Sequence, residues 1–573
     1  MAGAGSIIIE FGVQEIPGEQ PLPLCFATAN IKTGEVSSEW IEGNDTVSVL
    51  TDSLSDVLLV SDDVVQISSC FHQLGWSSPK HKLSLPTEFK NKLNGSGCEI
   101  DIPNLCKKMG IDFPHEDRCE YIHQLKNNAV GSWEDDERAE IIHFQKEKVR
   151  ALLELYHELN VPLKNWHIRG EFLWSLGLGM NLGLPIDHIG LSSIEENSQE
   201  FRRHLVREVN KHYSAELLMG SRVSEKTFTR RFPHIVDGRF KPLHPDHFLS
   251  LDSLKGFSRI APELNLLYQA LKFLKSTGNG QLHVGADSRH RYHPRPFASS
   301  TGRSQPKTDC ILSAPSALKG FLKAPADKVF LIVDYVSQEM GIAAALSKDP
   351  LMMKDYSSGD FYSAFARRVL ERLSSPFCGT SDIRNLSKQI CLAVLNGRSA
   401  TALSDSIGVS EGITRQMIDL HHSTYSVYRD WRKRIAGYFH MDKTIHSSHG
   451  WQLHPPFLSK TSVEQGKDPF LGAVNFPIQA TGSDILRTAV IMLHQEGYIV
   501  CATNHDSFFV EVDVSNWETD KASVERIITE ASSITLGNLQ LQVNTTVLMP
   551  GDRYLDDRDS QIFRIIQDFL QKL

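Results

Sequence analysis

The sequence predicts a multidomain protein that combines α/β and α+β architecture, and three observations lead there. The chain has 573 residues, enough for two to four domains. Its first 160 residues alternate apolar strand-like runs with helical periodicity, the pattern of an α/β domain with a mixed sheet. Further on, the apolar run Val329–Val333 leads straight into Asp334, and Met340, Ala343, Ala344 and Ala345 follow at helical spacing. That is a buried strand delivering an acid at its end, then a turn and a helix. Such an acid reads as a cap for the next helix or as a metal ligand that a core strand fixes at a cleft.

Composition narrows the class. The chain is 41% hydrophobic and 23% charged, which fits a globular protein rather than a disordered one. No apolar run approaches the roughly 20 residues that span a bilayer, so no membrane partner is expected. The start, MAGAGSIIIEF, has no basic segment or cleavage site, and secretion is not expected. Nine scattered cysteines without a C-x-x-C pair suit reduced thiols and a cytoplasmic location. With a net charge of −9, any nucleic-acid surface must be a local basic patch.

In chain order, Ile7–Ile9 and LCFATANI read as strands separated by the Pro/Gly loop IPGEQPLP, and Lys32-Thr33-Gly34 reads as a hairpin turn. VLLVSDDVVQISSCFHQLGW reads as strand then helix. DDERAEIIHFQKEKVRALLELYHEL carries Ile141, Phe144, Val149, Leu152 and Leu155 on one face of an amphipathic helix. Residues 161–280 read as mostly helical. The glycines of GLGLGMNLG (Gly177, Gly179, Gly183) lack a preceding strand and the spacing of a phosphate loop. HVGADSRHRYHPRPFASSTGRSQP, dense in Arg, His, Gly and Ser, reads as a solvated loop.

Three later segments fit one another. The first carries Asp334. The second, RNLSKQICLAVLNG, sets Arg384 and Lys388 four residues apart, on one face of a helix whose other face is apolar (Ile390, Leu392, Val394, Leu395). Taken singly, two such cations are a solvated face; beside paired acids they suit a polyanion. The third, VCATNHDSFFVEV, puts His505-Asp506 at a hairpin tip between strands. Two strand-borne carboxylates and a cationic helix make a site for two divalent metals and a triphosphate.

The order of these segments resembles the family A DNA polymerases. DYVSQE (334–339) is similar to their first motif, Arg384 to Gly397 to their fingers helix, and His505-Asp506 to their third motif. TGRSQP (301–306) and NFPIQATGSDILR (475–487) are supporting matches. The resemblance implies an RNase H-like 3′–5′ exonuclease-like domain over 1–160 and a right-hand polymerase domain over 161–573. Within the latter it implies a thumb near 165–280, a palm near 281–350 and 440–573, and fingers near 351–439. It implies Asp334 and Asp506 as ligands of two Mg²⁺, with Mn²⁺ as a substitute, and Lys388 with Arg384 on the nucleotide phosphates. Glu339 would be the gate against ribonucleotides. Arg303 and Gln479 would contact template, primer or nucleotide, and His505 the primer end. Primer–template DNA and dNTPs are the implied partners of a monomeric enzyme.

Departures from the family pattern accompany these matches. Asn396 stands where the family has Tyr, which removes base stacking of roughly 1–3 kcal/mol. Gly341 replaces an Arg common in relatives, and Ser507 replaces an acid. In the N-terminal segment the expected Asp-x-Glu falls on Glu10-Phe11-Gly12, Gln66 lies where an acid is wanted, and Lys148 replaces a metal-binding Asp. A cation there repels Mg²⁺, so proofreading is not expected, although Glu15, Asp62 and Asp63 lie near enough in sequence to compensate. Two rival readings remain. One is a catalytically impaired scaffold that binds primer–template DNA; the other is ribonucleotide-tolerant or error-prone repair synthesis.

Overall fold

The computed structural model describes residues 6–42, 56–94, 101–114, 133–159, 164–236, 249–276, 282–306, 310–373, 380–407, 409–455, 469–537, 539–555 and 560–573. The N-terminal strands are β1 (Ser6–Gln14), β2 (Leu22–Asn30), β3 (Val36–Trp40), β4 (Leu58–Ser61) and, after helix α1 (Val64–Gln73), β5 (His81–Ser84). They form one sheet in the order β3-β2-β1-β4-β5. It is mixed, as expected: β1 pairs antiparallel with β2 and parallel with β4. The β2–β3 turn is closed by Asn30, whose side-chain oxygen accepts the Lys32 and Thr33 N–H groups at 2.9 and 3.1 Å. Helix α2 (Leu85–Leu93) follows, and the long amphipathic helix α3 (Asp135–Leu159) buries Ile141, Phe144, Val149, Leu152 and Leu155.

Helix α4 (Trp166–Leu182) links this domain to the rest. It is apolar nearly all round, as a helix packed on every side must be. The glycines that looked like a weak phosphate loop serve this packing. A Cβ on Gly177 would fall 2.3 Å from the Val65 carbonyl oxygen of α1, and one on Gly179 would fall 2.1 Å from the Val500 oxygen. Beyond α4, helices at Ser198–His212, Leu251–Ile260, Asn265–Ser276 and Ser560–Leu570 build a separate apolar core.

The central sheet has the order β8-β9-β6-β10, where β6 is Lys328–Tyr335, β8 Val500–Asn504, β9 Ser507–Asp513 and β10 Val543–Leu548. The short strand β7 (Gln452–Leu453) lies between them in the chain, paired with Ile445–His446. β6 is a middle strand covered on both faces. Val329, Leu331 and Val333 enter the core shared with the N-terminal domain, and Phe330 and Ile332 enter the helical core behind. That double burial is why its sequence is continuously apolar rather than alternating. Helix α5 (Gln338–Ser347) follows, then α6 (Phe361–Leu373), α7 (Thr380–Leu395), α8 (Ser426–His440), the long α9 (Pro469–Gln495) and α10 (Trp517–Leu536). No helix among the described residues is long and apolar enough to cross a membrane.

One expectation is corrected. Residues 283–305 are not a freely solvated loop: His290 is 2% and Phe297 1% exposed. Several of its polar residues bond the elements on either side: Arg289 donates to Glu511 at 2.8 Å and Arg291 to the Asn181 carbonyl at 2.8 Å.

Candidate active site

Register brings the two strand-end acids together. β6 and β9 run antiparallel with Asp334 opposite Ser507, and β8 and β9 are joined by the two-residue turn His505-Asp506. Asp506 therefore sits one residue from the partner of Asp334. Ser507 Oγ donates a hydrogen bond to Asp334 Oδ1. Burial, and then the negative charge of Asp334, push the Asp506 carboxyl up to about 6. Two non-glycine residues beside the acids take left-handed backbone angles, His505 at φ 58 and Ser337 at φ 48. Such angles persist only where surrounding structure enforces them.

Glu339, in the first turn of α5, receives Arg303 Nη2 at 3.5 Å. Arg303 and His505 line one crevice with Arg487, so Arg303 stands between the gate position and the His505-Asp506 turn. Behind it, Arg487 donates to the Gly302 carbonyl at 2.8 Å and to Asp484. Its guanidinium lies 4.9 Å from the Phe297 ring centroid. Sequence reasoning placed Asp484 and Arg487 inside a motif without a role. Their three-residue spacing on a helix was the available signal for the ion pair.

On α7, Arg384 and Lys388 share a face as predicted, and both lie over the Tyr362 ring, 6.0 and 5.7 Å from its centroid. Arg384 is held by Asp360 at 2.7 Å. Despite partial burial, which acts in the other direction, Arg384 and Ser363 hold the Asp360 carboxyl down at about 2. Lys388 is exposed. Neither Tyr362 nor Asp360 was singled out from sequence, because contacts between neighbouring helices leave no local spacing signal. Asn396 closes α7: its Nδ2 donates to the Leu392 carbonyl at 2.8 Å, and its Oδ1 accepts from Asn475 of α9 at 3.0 Å. Gln479, one turn further along α9, is half-buried.

The family described as DNA polymerase family A matches residues 251–550, just over half of the chain. The chain belongs to DNA polymerase family A. Among its relatives is DNA polymerase I of Aquifex aeolicus, 25% identical over 260 residues, which are 43% of each chain. DNA polymerase theta of Drosophila melanogaster is 24% identical over 176 residues, 30% of this chain and 8% of the relative. The DNA polymerase of Mycobacterium phage L5 is 25% identical over 212 residues, 37% of this chain and 32% of that one. The chain thus spans less than half the length of these curated relatives. The solved POL domain of Pol1 from M. smegmatis, in complex with DNA primer-template and dNTP, superposes over 96% of this chain and 95% of that chain. Its TM-score is 0.69 at 15% identity, a likeness of fold.

Family A polymerases use divalent metal ions, and the acid pair here fits them. Two hard oxygen donors lie side by side, and the charge of Asp334 raises the proton affinity of Asp506, a repulsion that a bound cation relieves. Among the described residues no group of three or more His, Cys, Asp or Glu converges on a metal position. Mg²⁺ takes one or two carboxylates and completes its shell with water and substrate phosphate. Two departures from the family pattern also gain a physical reason. A Cβ on Gly341 would fall 2.4 Å from Leu541 and 2.8 Å from Tyr356, so a larger side chain has no room there. Ser507 replaces an acid but keeps a hydrogen bond to Asp334.

Asp506 sets a pH dependence. Its folded carboxyl titrates near 6 against an ordinary value of 3.8, so ionising it costs the folded chain stability as pH rises through that window. In chelator at pH 8, Asp506→Asn is expected to raise the calorimetric melting temperature, with no difference left near pH 3. A lower melting temperature for the variant at pH 8 would contradict the repulsion.

The N-terminal acids have a different environment. Glu10, 1% exposed, accepts from Ser61 Oγ at 2.8 Å and from the Asp62 N–H at 2.9 Å. Lys148 Nζ bridges Glu10 and Asp62, 2.9 Å from each. Burial and then Asp62 push Glu10 up to about 8, against the pull of Lys148. At Gly12, where the second acid is expected, a Cβ would fall 2.8 Å from Cys25 Sγ and 2.9 Å from Ile141. Gln66 donates to Glu15 at 3.3 Å.

Proposed function

We propose that this chain is a DNA-directed DNA polymerase that extends a primer 3′-hydroxyl with dNTPs and releases pyrophosphate. The observation that carries the reading is the meeting of Asp334 and Asp506 at the end of a middle strand buried on both faces. Asp334 and Asp506 would hold two Mg²⁺. Bound there, the ions lower the pKa of the primer hydroxyl and neutralise charge on the leaving pyrophosphate.

The chain's own residues do the rest. Lys388, exposed and not tied to an acid in any ion pair described above, is the point charge for the β- and γ-phosphates. Arg384 adds a forked donor once it exchanges Asp360 for phosphate. Glu339, steadied by Arg303, occupies the space a ribose 2′-hydroxyl would need. Gln479 and Arg303 face template, primer or nucleotide, and His505 faces the primer end. Asn396 spends its amide on Leu392 and Asn475, so it supplies a joint between fingers and palm rather than an aromatic surface. The domain limits proposed are those the sequence suggested, with α4 as the pillar between the 1–160 and 161–573 units, and the working form is a monomer. Primer extension on a defined template in Mg²⁺ tests the reading: dNTP-dependent, template-directed product supports it. Binding of primer–template without extension in Mg²⁺ or Mn²⁺ would favour the scaffold instead.

We also propose that the N-terminal domain does not proofread. Lys148 occupies the space between Glu10 and Asp62, and the packing at Gly12 excludes the second acid, so the charge a metal would supply is already present as an ammonium. A 3′-labelled strand is therefore expected to survive with Asp334→Ala protein in Mg²⁺ or Mn²⁺. Metal-dependent shortening of that strand would refute the proposal.

A further inference from the structure

The strap 283–305 is gripped along its length by the N-terminal domain. Glu19 Oε1 accepts the Ala286 N–H at 2.7 Å, and Arg291 donates to the Gly18 carbonyl at 3.1 Å. His293 Nε2 lies 3.0 Å from Asp63 Oδ2. Lys90 donates to the Ala298 carbonyl at 3.3 Å, and Asn94 to the Ser300 carbonyl at 2.6 Å. The opposite side of the strap is fixed by the palm. Trp451 Nε1 donates to Ser300 O at 2.8 Å, and Phe297, at φ 53, stacks on Trp451 with centroids 5.0 Å apart. Three residues past Ser300 the strap delivers Arg303 to Glu339.

We propose that the N-terminal domain is a positioning scaffold for the polymerase centre, holding strap 283–305 so that Arg303 stands between Glu339 and the His505-Asp506 turn. The acids near the old nuclease position divide the work. Lys148 pairs with Glu10 and Asp62 inside the domain. Asp63 caps α1 through Oδ1, which accepts the Gln66 N–H at 3.0 Å, and offers Oδ2 to His293 of the strap. A single carboxylate so ties the helix start of one domain to the loop of the other. Lys90 and Asn94 repeat the arrangement at the far end, from α2 and the residue just past it. Asn94 also donates to the Gln452 carbonyl of β7, so the same side chain braces strap and palm together. None of these contacts requires nuclease chemistry, which explains why the domain retains its fold while Lys148 occupies the place of a metal between Glu10 and Asp62. Arg303 is a candidate contact to substrate; His293, Asp63 and Lys90 are positioning residues.

The inference rests on the palm acids being the reacting centre, and the test separates the two. His293→Ala, Lys90→Met and the double variant are compared with the wild type in full-length protein. Amide hydrogen exchange over residues 295–305 and steady-state primer extension are both measured. Each pair is partly exposed and contributes about a fivefold effect. Each single variant is therefore expected to speed exchange in the strap about fivefold and to raise KM for primer–template or dNTP about fivefold. The value of kcat and the melting temperature stay near wild type, and His293→Lys, which keeps a nitrogen donor opposite Asp63, restores both readouts. Unchanged exchange over 295–305 overturns the scaffold. So does faster exchange with an unaltered KM in an enzyme that extends primers. Failure of the wild type to extend any primer overturns the polymerase reading and the scaffold role with it.

Discussion

Asp334→Ala is expected to lower primer extension on the order of 10³-fold or more, with primer–template affinity unchanged or slightly tighter. The carboxylate sits at the end of a middle strand buried on both faces, which fixes it beside Asp506. Its loss leaves Asp506 as the one strand-end acid of the pair, and a single carboxylate cannot hold two ions in register. Losing one preorganised charge at a reacting centre costs about 10²–10³, and losing an ion adds to that. Removing a negative charge cannot weaken attraction for DNA phosphates. Single-turnover incorporation together with fluorescence anisotropy of a labelled primer–template separates the two effects. A rate within tenfold of wild type would take the acid pair out of the chemistry.

Arg487→Met is expected to cost about 3–5 kcal/mol of stability, because it strands a buried carboxylate. The Arg487 and Asp484 side chains are 2% and 1% exposed. The guanidinium also holds the Gly302 carbonyl and faces Phe297, so its loss loosens the residue next to Arg303. Asp484 further accepts the His449 N–H at 2.7 Å. The double variant Asp484→Leu with Arg487→Met is expected to recover part of the loss, since it removes the unpaired charge. Denaturant unfolding followed by far-UV circular dichroism measures both. A loss below 1 kcal/mol for the single variant would mean that water or another cation reaches Asp484.

Much of the site was legible because it lies on regular elements. Asp334 follows a continuous apolar run, and Arg384 and Lys388 share one helix face by the four-residue spacing. His505 and Asp506 fall between two apolar runs, which is what a two-residue hairpin turn requires. Contacts set by the packing of separate elements were not legible. Tyr362 beneath the two cations, Asp360 against Arg384, and Asn475 against Asn396 are contacts between separate helices or their ends. The reading of 283–305 as a solvated loop failed for the same reason. Its Arg, His and Ser residues are those of a solvent loop, and only tertiary structure decides that His293 meets Asp63 and that Glu19, Lys90 and Asn94 take backbone groups of the strap in place of water.

By itself the sequence determined that two acids end apolar strands, that two cations share a helix, and that Lys148 stands where a carboxylate is expected. The first two follow from periodicity and from residue identity, which are local, and the third from the resemblance to the family. The tertiary structure decided that Asp334 and Ser507 are register partners and that Lys148 pairs with both Glu10 and Asp62. It also decided that the N-terminal domain grips the strap leading to Arg303. Each of these depends on which surfaces the folded core brings within hydrogen-bonding reach, and no local pattern encodes a distance between segments a hundred or more residues apart.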